Sequence, residues 1–152
     1  MNRGTVKISK KKSDTGKIAK IYLTQILKSK KKESGAIVVG LSGNLGAGKT
    51  AFVQAAGRHL GVKNRINSPT FVIMKKYSLS PKWKHKFLFH LDAYRLKNEK
   101  ELLHLGWEEI IGDKENLVFI EWPENVSKAM PKHSKFIYIE HDEKKGRNFI
   151  LK

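Results

Sequence analysis

An α/β fold in one compact domain is predicted by three features of this 152-residue sequence. Residues 36–42, AIVVGLS, form a short apolar run that is β-branched at its centre and suits a strand buried on both faces. Directly after it, Gly43-Asn44-Leu45-Gly46-Ala47-Gly48-Lys49-Thr50 fills every fixed position of the pattern G-x-x-x-x-G-K-[ST]. Phe52, Val53, Ala55, Ala56 and Leu60 then recur at helical spacing, with Gly61 where a helix would stop. Strand, glycine-rich turn and helix in this order are the context that a phosphate loop requires. Its glycines let the backbone curl so that successive N–H groups face an anion, and the helix N-terminus adds partial positive charge. Lys49 is placed to reach the β- and γ-phosphates, and the Thr50 hydroxyl to ligate magnesium. Gly16-Lys17 makes no second loop of this kind, because Lys11 stands where the first glycine belongs and Ile18 where the hydroxyl belongs.

The length suits one α/β domain over residues 1–152, opening with a basic N-terminal segment over 1–12, and is too short for two such domains side by side. A formal charge of +17 favours contact with polyanions such as RNA, and makes such contact salt-dependent. Five of the 31 basic residues are arginine, whereas specific reading of phosphates and bases leans on the planar guanidinium. Two readings of the charge therefore stand side by side: a lysine-biased composition, or a surface selected to lie near nucleic acid. Without cysteine there are neither disulfides nor thiolate metal sites, which agrees with a reducing compartment. No apolar run has the length of a membrane span, and the N-terminus lacks the apolar core of a signal peptide. A cytoplasmic protein with no membrane partner is expected.

In chain order, Thr5 to Ser9 reads as an edge strand, and Ser13-Asp14-Thr15 offers capping side chains for a helix. Ile18, Ala19, Tyr22, Leu23, Ile26 and Leu27 give that helix one apolar face over three or four turns. Residues 28–34 form a lysine-rich connection. After the phosphate-loop helix, Ile66-Asn67-Ser68-Pro69-Thr70-Phe71 is a polar, proline-stiffened loop leading into a strand at residues 72–74. Its hydroxyls, Thr70 among them, suit the sensing of a γ-phosphate, though ordinary turn propensity is the better account of the segment taken alone. Residues 80–86 read as a basic turn between antiparallel strands, with Trp83 as partial cover for the sheet.

Residues 87–92, FLFHLD, form a strand that ends in Asp92, where a carboxylate meets magnesium or its waters at the carboxyl end of the sheet. Such an aspartate more commonly caps a helix, and the phosphate loop upstream is what favours the metal. His90, Tyr94 and Arg95 flank it. Residues 99–105 suggest a short helix, and 106–112 another turn closing on Gly112. Residues 116–120 are a further buried strand, ending in Glu121-Trp122-Pro123-Glu124. Glu121 either orients water or completes the metal shell, or else caps the turn that Pro123 forces. Residues 136–139 and 149–151, joined by a polar turn at 144–147, make a final antiparallel hairpin.

Together these pieces resemble the bacterial ATPase family required for tRNA threonylcarbamoyladenosine biosynthesis, the TsaE-like proteins, over about residues 15 to 151. The markers are GNLGAGKT at 43–50, SPTF at 68–71, HLDAYRL at 90–96, LGWEE at 105–109 and EWPE at 121–124. The resemblance implies a phosphate-loop fold with a central parallel sheet flanked by antiparallel strands and helices on both faces. It implies ATP bound with Mg2+ and hydrolysed slowly, in concert with a threonylcarbamoyl transferase and that enzyme's inactive paralogue. The product served is modified adenosine 37 in tRNAs that read codons beginning with A, with tRNA itself contacted indirectly or weakly. Carried over by position, Gly46, Ala47, Gly48, Lys49 and Thr50 hold the phosphates with Ala51 beside them, and Thr50 and Glu121 take the magnesium. Asp92 lies in the nucleotide site, Lys49, Asp92 and Glu121 form the catalytic set, and Thr15 and Arg147 touch the nucleotide. Two positions depart from the family's pattern: Asn44 where Asp is usual, and Ala51 where a second Thr is common. Neither is required by the phosphate-binding geometry. Residues 28–32 look like an insertion.

Two other readings compete. A small phosphate-loop kinase needs a lid of arginines, and the arginines beyond Arg3, namely Arg58, Arg65, Arg95 and Arg147, show no cluster in sequence. A basic RNA-binding module with a structural nucleotide would bind tRNA without turning over ATP. A GTPase is disfavoured by the lack of an Asn-Lys-x-Asp motif.

Overall fold

The computed structural model describes residues 4–29, 34–69 and 72–152. In chain order the elements are β1 (Thr5–Ser9), α1 (Lys12–Leu27), β2 (Ile37–Ser42), α2 (Lys49–His59), β3 (Met74–Ser78), β4 (Phe87–Asp92), α3 (Glu99–Leu103), α4 (Trp107–Gly112) and β5 (Asn116–Glu121), followed by a 3-10 helix over Pro123–Ala129 and the hairpin β6 (Lys135–Asp142) and β7 (Gly146–Leu151). The strands form one seven-stranded sheet in the order β1-β7-β6-β2-β5-β4-β3. Its centre, β6-β2-β5-β4, is parallel; β7 and β1 extend it antiparallel on one side and β3 on the other. This is the expected architecture, with β1 at an edge.

Alternation along the central strands sorts the core into two layers. Leu117 and Phe119 of β5 pack with Tyr22, Leu23, Phe52, Val53 and Leu60 of α1 and α2 and their flanks. Val118 and Ile120 face the opposite way, against Leu102, Trp107, Ile110 and Val126. Helices therefore cover both faces, which is why β2 and β5 read as continuous apolar runs. Trp107 is 1% exposed and still satisfies its indole N–H, donating to the Ala129 carbonyl at 2.9 Å. Trp83 lies partly buried beside His59, ring centroids 5.4 Å apart, and so covers α2 and the sheet as expected.

Two local expectations are corrected. Helix α1 begins at Lys12, before the Ser13-Asp14-Thr15 group, and its cap works from inside the first turn: Asp14 Oδ2 accepts from the amides of Lys10 and Lys11, both at 3.0 Å. Those amides hold the Asp14 carboxyl below its ordinary range. The strand expected at residues 72–74 starts only at Met74. The Pro69 carbonyl accepts from both Val72 and Ile73, keeping the chain turning, and Ile73 sits at φ 65°, a costly conformation for a β-branched residue. Part of the connection expected at 28–34 and the loop residues Thr70 and Phe71 lie outside the described residues.

Candidate functional site

Strand parity brings the carboxylates together. In β5, Leu117 and Phe119 face α1 and α2, so Glu121, two residues on, faces the same way. In β4, Leu88 shares that face, which places His90 and Asp92 there too. The parallel register sets Asp92 beside Glu121 and Leu41 beside Glu121, so both carboxylates reach the carboxyl ends of the central strands, where α2 begins.

The phosphate loop closes against this wall. Gly48 precedes α2 at φ 114°, and a Cβ there would stand 3.1 Å from Arg147 Nη1, so the loop needs glycine for both its conformation and the passage of the guanidinium. Thr50, in the first turn of α2, donates to Glu121 Oε1 at 3.1 Å and Oε2 at 3.0 Å. Glu121 Oε2 also lies 2.6 Å from Nε2 of His90, whose ring is fully buried. Asp92 Oδ1 accepts from the Tyr94 amide at 2.9 Å. Lys49 Nζ donates to the carbonyls of Gly43 and Asn44, the latter at 3.1 Å, and stands 4.2 Å from the centroid of Trp122. Burial draws the Lys49 ammonium below its ordinary pKa, and the carboxylates of Glu121, Glu124 and Asp92 pull it back.

A cavity of about 260 Å³ is lined by Gly46, Gly48, Lys49, Thr50, Ala51, Asp92 and Glu121, together with Leu45, Ser68, Tyr94 and Trp122. Ala47 is buried behind the loop and lines an adjoining cavity with Asn44. Arg147 approaches through Gly48. Thr15 does not line the cavity: its hydroxyl is buried 3.0 Å from that of Ser9, which pairs across the sheet edge with Arg147. Thr70 lies outside the described residues, and Ser68 of the same loop reaches the cavity.

Three further residues take part in the site. Trp122 supplies a ring under Lys49, from a left-handed backbone at φ 59°, and its ring centroid is 5.0 Å from that of Tyr94. His90, named in sequence only as flanking Asp92, supports Glu121, and strand alternation from Asp92 is the signal for that role. Ser42 holds Glu124 at 2.9 Å. The donor set is oxygen only, a hydroxyl and a carboxylate beside a second carboxylate. That fits Mg2+, which takes one or two protein ligands and completes its shell with phosphate oxygens and water.

The family model described as "Threonylcarbamoyl adenosine biosynthesis protein TsaE" matches residues 9–149. The chain belongs to the TsaE family. This TsaE-family chain is 39% identical over 112 residues to a tRNA threonylcarbamoyladenosine biosynthesis protein TsaE of Rickettsia felis, covering 73% of this chain and 58% of that one. It is 34% identical over 102 residues to the TsaE protein of Treponema pallidum, covering 67% and 70%. With the Bacillus subtilis TsaE protein it is 34% identical over 105 residues, covering 68% and 61%. The match thus spans less than two thirds of the Rickettsia and Bacillus proteins. In fold, the TsaE-family chain is similar to the crystal structure of Bacillus subtilis YdiB, with a TM-score of 0.75 at 23% identity, covering 99% of this chain and 86% of that one. Among the described residues no helix is long and apolar enough to cross a membrane.

Proposed function

We propose that this chain binds ATP with Mg2+ and hydrolyses it slowly, as a component of the cytoplasmic machinery that forms N6-threonylcarbamoyladenosine at position 37 of tRNAs reading codons that begin with A. Its partners in this reading are a threonylcarbamoyl transferase and that enzyme's inactive paralogue. The observation that carries the reading is the convergence of Lys49, Thr50, Asp92 and Glu121 in one cavity under the phosphate loop.

Lys49 leaves the carbonyls of Gly43 and Asn44 to pair with the phosphates, and its charge is then better compensated than in the free loop. The loop amides and the start of α2 hold the phosphate oxygens. Thr50 and Glu121 would hold magnesium, which when bound neutralises charge on the phosphates. Asp92, held by the Tyr94 amide, faces the same cavity and is placed to orient water. His90 keeps Glu121 in position from beneath. The kinase alternative lacks support: Arg58 and Arg65 line one cavity, but it lies beyond the far end of α2 from the phosphate loop.

The test is ATP hydrolysis measured with the protein alone, then with the transferase and its paralogue, then with tRNA added. Slow turnover that responds to the partners is expected. Absence of ATP binding under all three conditions overturns the reading.

A further inference from the structure

The far end of α2 carries a second concave surface. A cavity of about 340 Å³ is lined by Gln54 and Arg58 of the helix and by Lys63, Asn64 and Arg65 of the segment that follows it. Arg58 stands eight residues beyond Thr50, about 12 Å along a helix rising 1.5 Å per residue, so this surface is distinct from the nucleotide cavity.

The surface is built rather than incidental. Ile66 is 5% exposed, its Cδ1 filling the space that a Cβ on Gly57 would occupy. Gln54 Nε2 donates to the Ile66 carbonyl at 2.8 Å, and the Val62 amide donates to the Gly57 carbonyl at 2.9 Å. The segment is thereby pinned to the helix, with Lys63 and Arg65 on the same rim as exposed Arg58. None of the three is in an ion pair among the described residues, and no carboxylate lines the cavity. Lys20 and Lys82 add positive charge from α1 and the β3–β4 turn, each acting on His59 beside Arg58.

We propose that this cavity binds the phosphodiester backbone of RNA, with Arg58 and Arg65 each clasping a phosphate and Lys63 supplying a third charge. Guanidinium forks match phosphate oxygens in pairs, and because the segment's backbone is already tied to the helix, binding has only side chains left to order. Gln54 commits its amide nitrogen to Ile66, leaving Oε1 as an acceptor on the cavity wall. That acceptor suits a ribose 2′-hydroxyl, which DNA lacks. The site goes beyond the ATPase reading and rests on its own chemistry, whichever way ATP turnover is found to stand.

The experiment is fluorescence anisotropy of a labelled, unmodified tRNA transcript with the full chain over a series of KCl concentrations. Arg58→Ala/Arg65→Ala should weaken binding about ten-fold and reduce the slope of log affinity against log salt by about two, one unit for each phosphate no longer neutralised. A charge-matched control, Lys100→Ala/Lys128→Ala, removes two exposed cations on the other face of the sheet and should change binding less than about two-fold. Arg58→Lys/Arg65→Lys keeps the charge but not the paired contacts, and should restore the salt slope with only part of the affinity. All four side chains are exposed, so thermal melting should show native folding in each variant. Equal weakening by the two alanine pairs would reduce the effect to net charge and overturn the site. Wild-type tRNA affinity in Arg58→Ala/Arg65→Ala, with loss of binding to labelled polyglutamate, would assign the cavity to an acidic protein partner and also overturn it. Equal competition by single-stranded DNA of the same sequence would overturn the assignment to RNA. Arg58→Ala/Arg65→Ala should keep ATP affinity and Lys49→Ala should keep tRNA affinity, so failure of the nucleotide reading is distinguishable from failure of this one.

Discussion

The Thr50 hydroxyl donates to both carboxylate oxygens of Glu121, tying the first turn of α2 to the last residue of β5. The same carboxylate is the partner of buried His90. Its two duties separate in mutation. Glu121→Gln keeps the shape and most of the hydrogen bonding, and should leave stability within about 1 kcal/mol while slowing ATP turnover roughly a hundred-fold. Glu121→Ala also strands the buried imidazole nitrogen, at a further cost of about 1–3 kcal/mol. Paired denaturation and steady-state ATPase measurements check this; equal stability of the two variants would contradict the structural duty.

Lys49→Ala should lower ATP affinity by about ten-fold to a hundred-fold, the equivalent of a charge-assisted hydrogen bond worth roughly 1.5–3 kcal/mol. Titration calorimetry on the natively folded variant reads it directly. An unchanged dissociation constant would remove Lys49 from the phosphate site.

Tyr22 sets a stability limit at high pH. Its hydroxyl is buried with no hydrogen-bond partner among the described residues, and burial pushes the phenol above its ordinary range. A folded pKa raised above the unfolded value contributes stability that is fully present below pH 10, where the unfolded phenol begins to ionise, and is lost as pH rises beyond it. Tyr22→Phe should therefore be neutral or stabilising by about 1 kcal/mol at pH 7, since it removes an unsatisfied polar group. It should also lose less stability than the wild type between pH 9 and about pH 11. Urea titrations across that range provide the comparison.

Gly57→Ala is expected to destabilise the fold by about 1–3 kcal/mol, although alanine is the better helix former. The added methyl would overlap Cδ1 of Ile66 and push the 62–66 segment off the helix. Chemical denaturation of the variant measures the loss. If the arginine cavity binds RNA, tRNA affinity should fall in the same variant while ATP affinity holds.

What was legible in the sequence was what is local. The strand, phosphate loop and helix at 37–59 follow from neighbouring residues, and the positions of Asp92 and Glu121 at strand ends follow from the apolar runs before them. What was not legible depends on the meeting of distant segments. The seating of Thr15 on Ser9 requires β1 to have paired with β7, and the ring of Trp122 reaches Lys49 only because β5 ends beside the loop. Arg58 and Arg65 are separated by a helix end, and only Ile66 folding back onto Gly57 brings them to one cavity. Ile73 defied its β propensity because the Pro69 carbonyl captured two successive amides.

Glu121 is an integral residue of the sheet, paired with Leu41 on one side and Asp92 on the other, while among the described residues Lys49 is held by the carbonyls of its own loop and the face of a ring. The wall of the site is therefore stationary and its cation is the moving piece. On the proposed function, the loop's carbonyls are an intramolecular rival for the lysine that an incoming triphosphate would have to displace. Any affinity measured for a nucleotide is the difference between two grips on one ammonium. If the proposed hydrolysis takes place there, the same carbonyls would take the lysine back once the terminal phosphate had left, which would favour emptying the site over holding product.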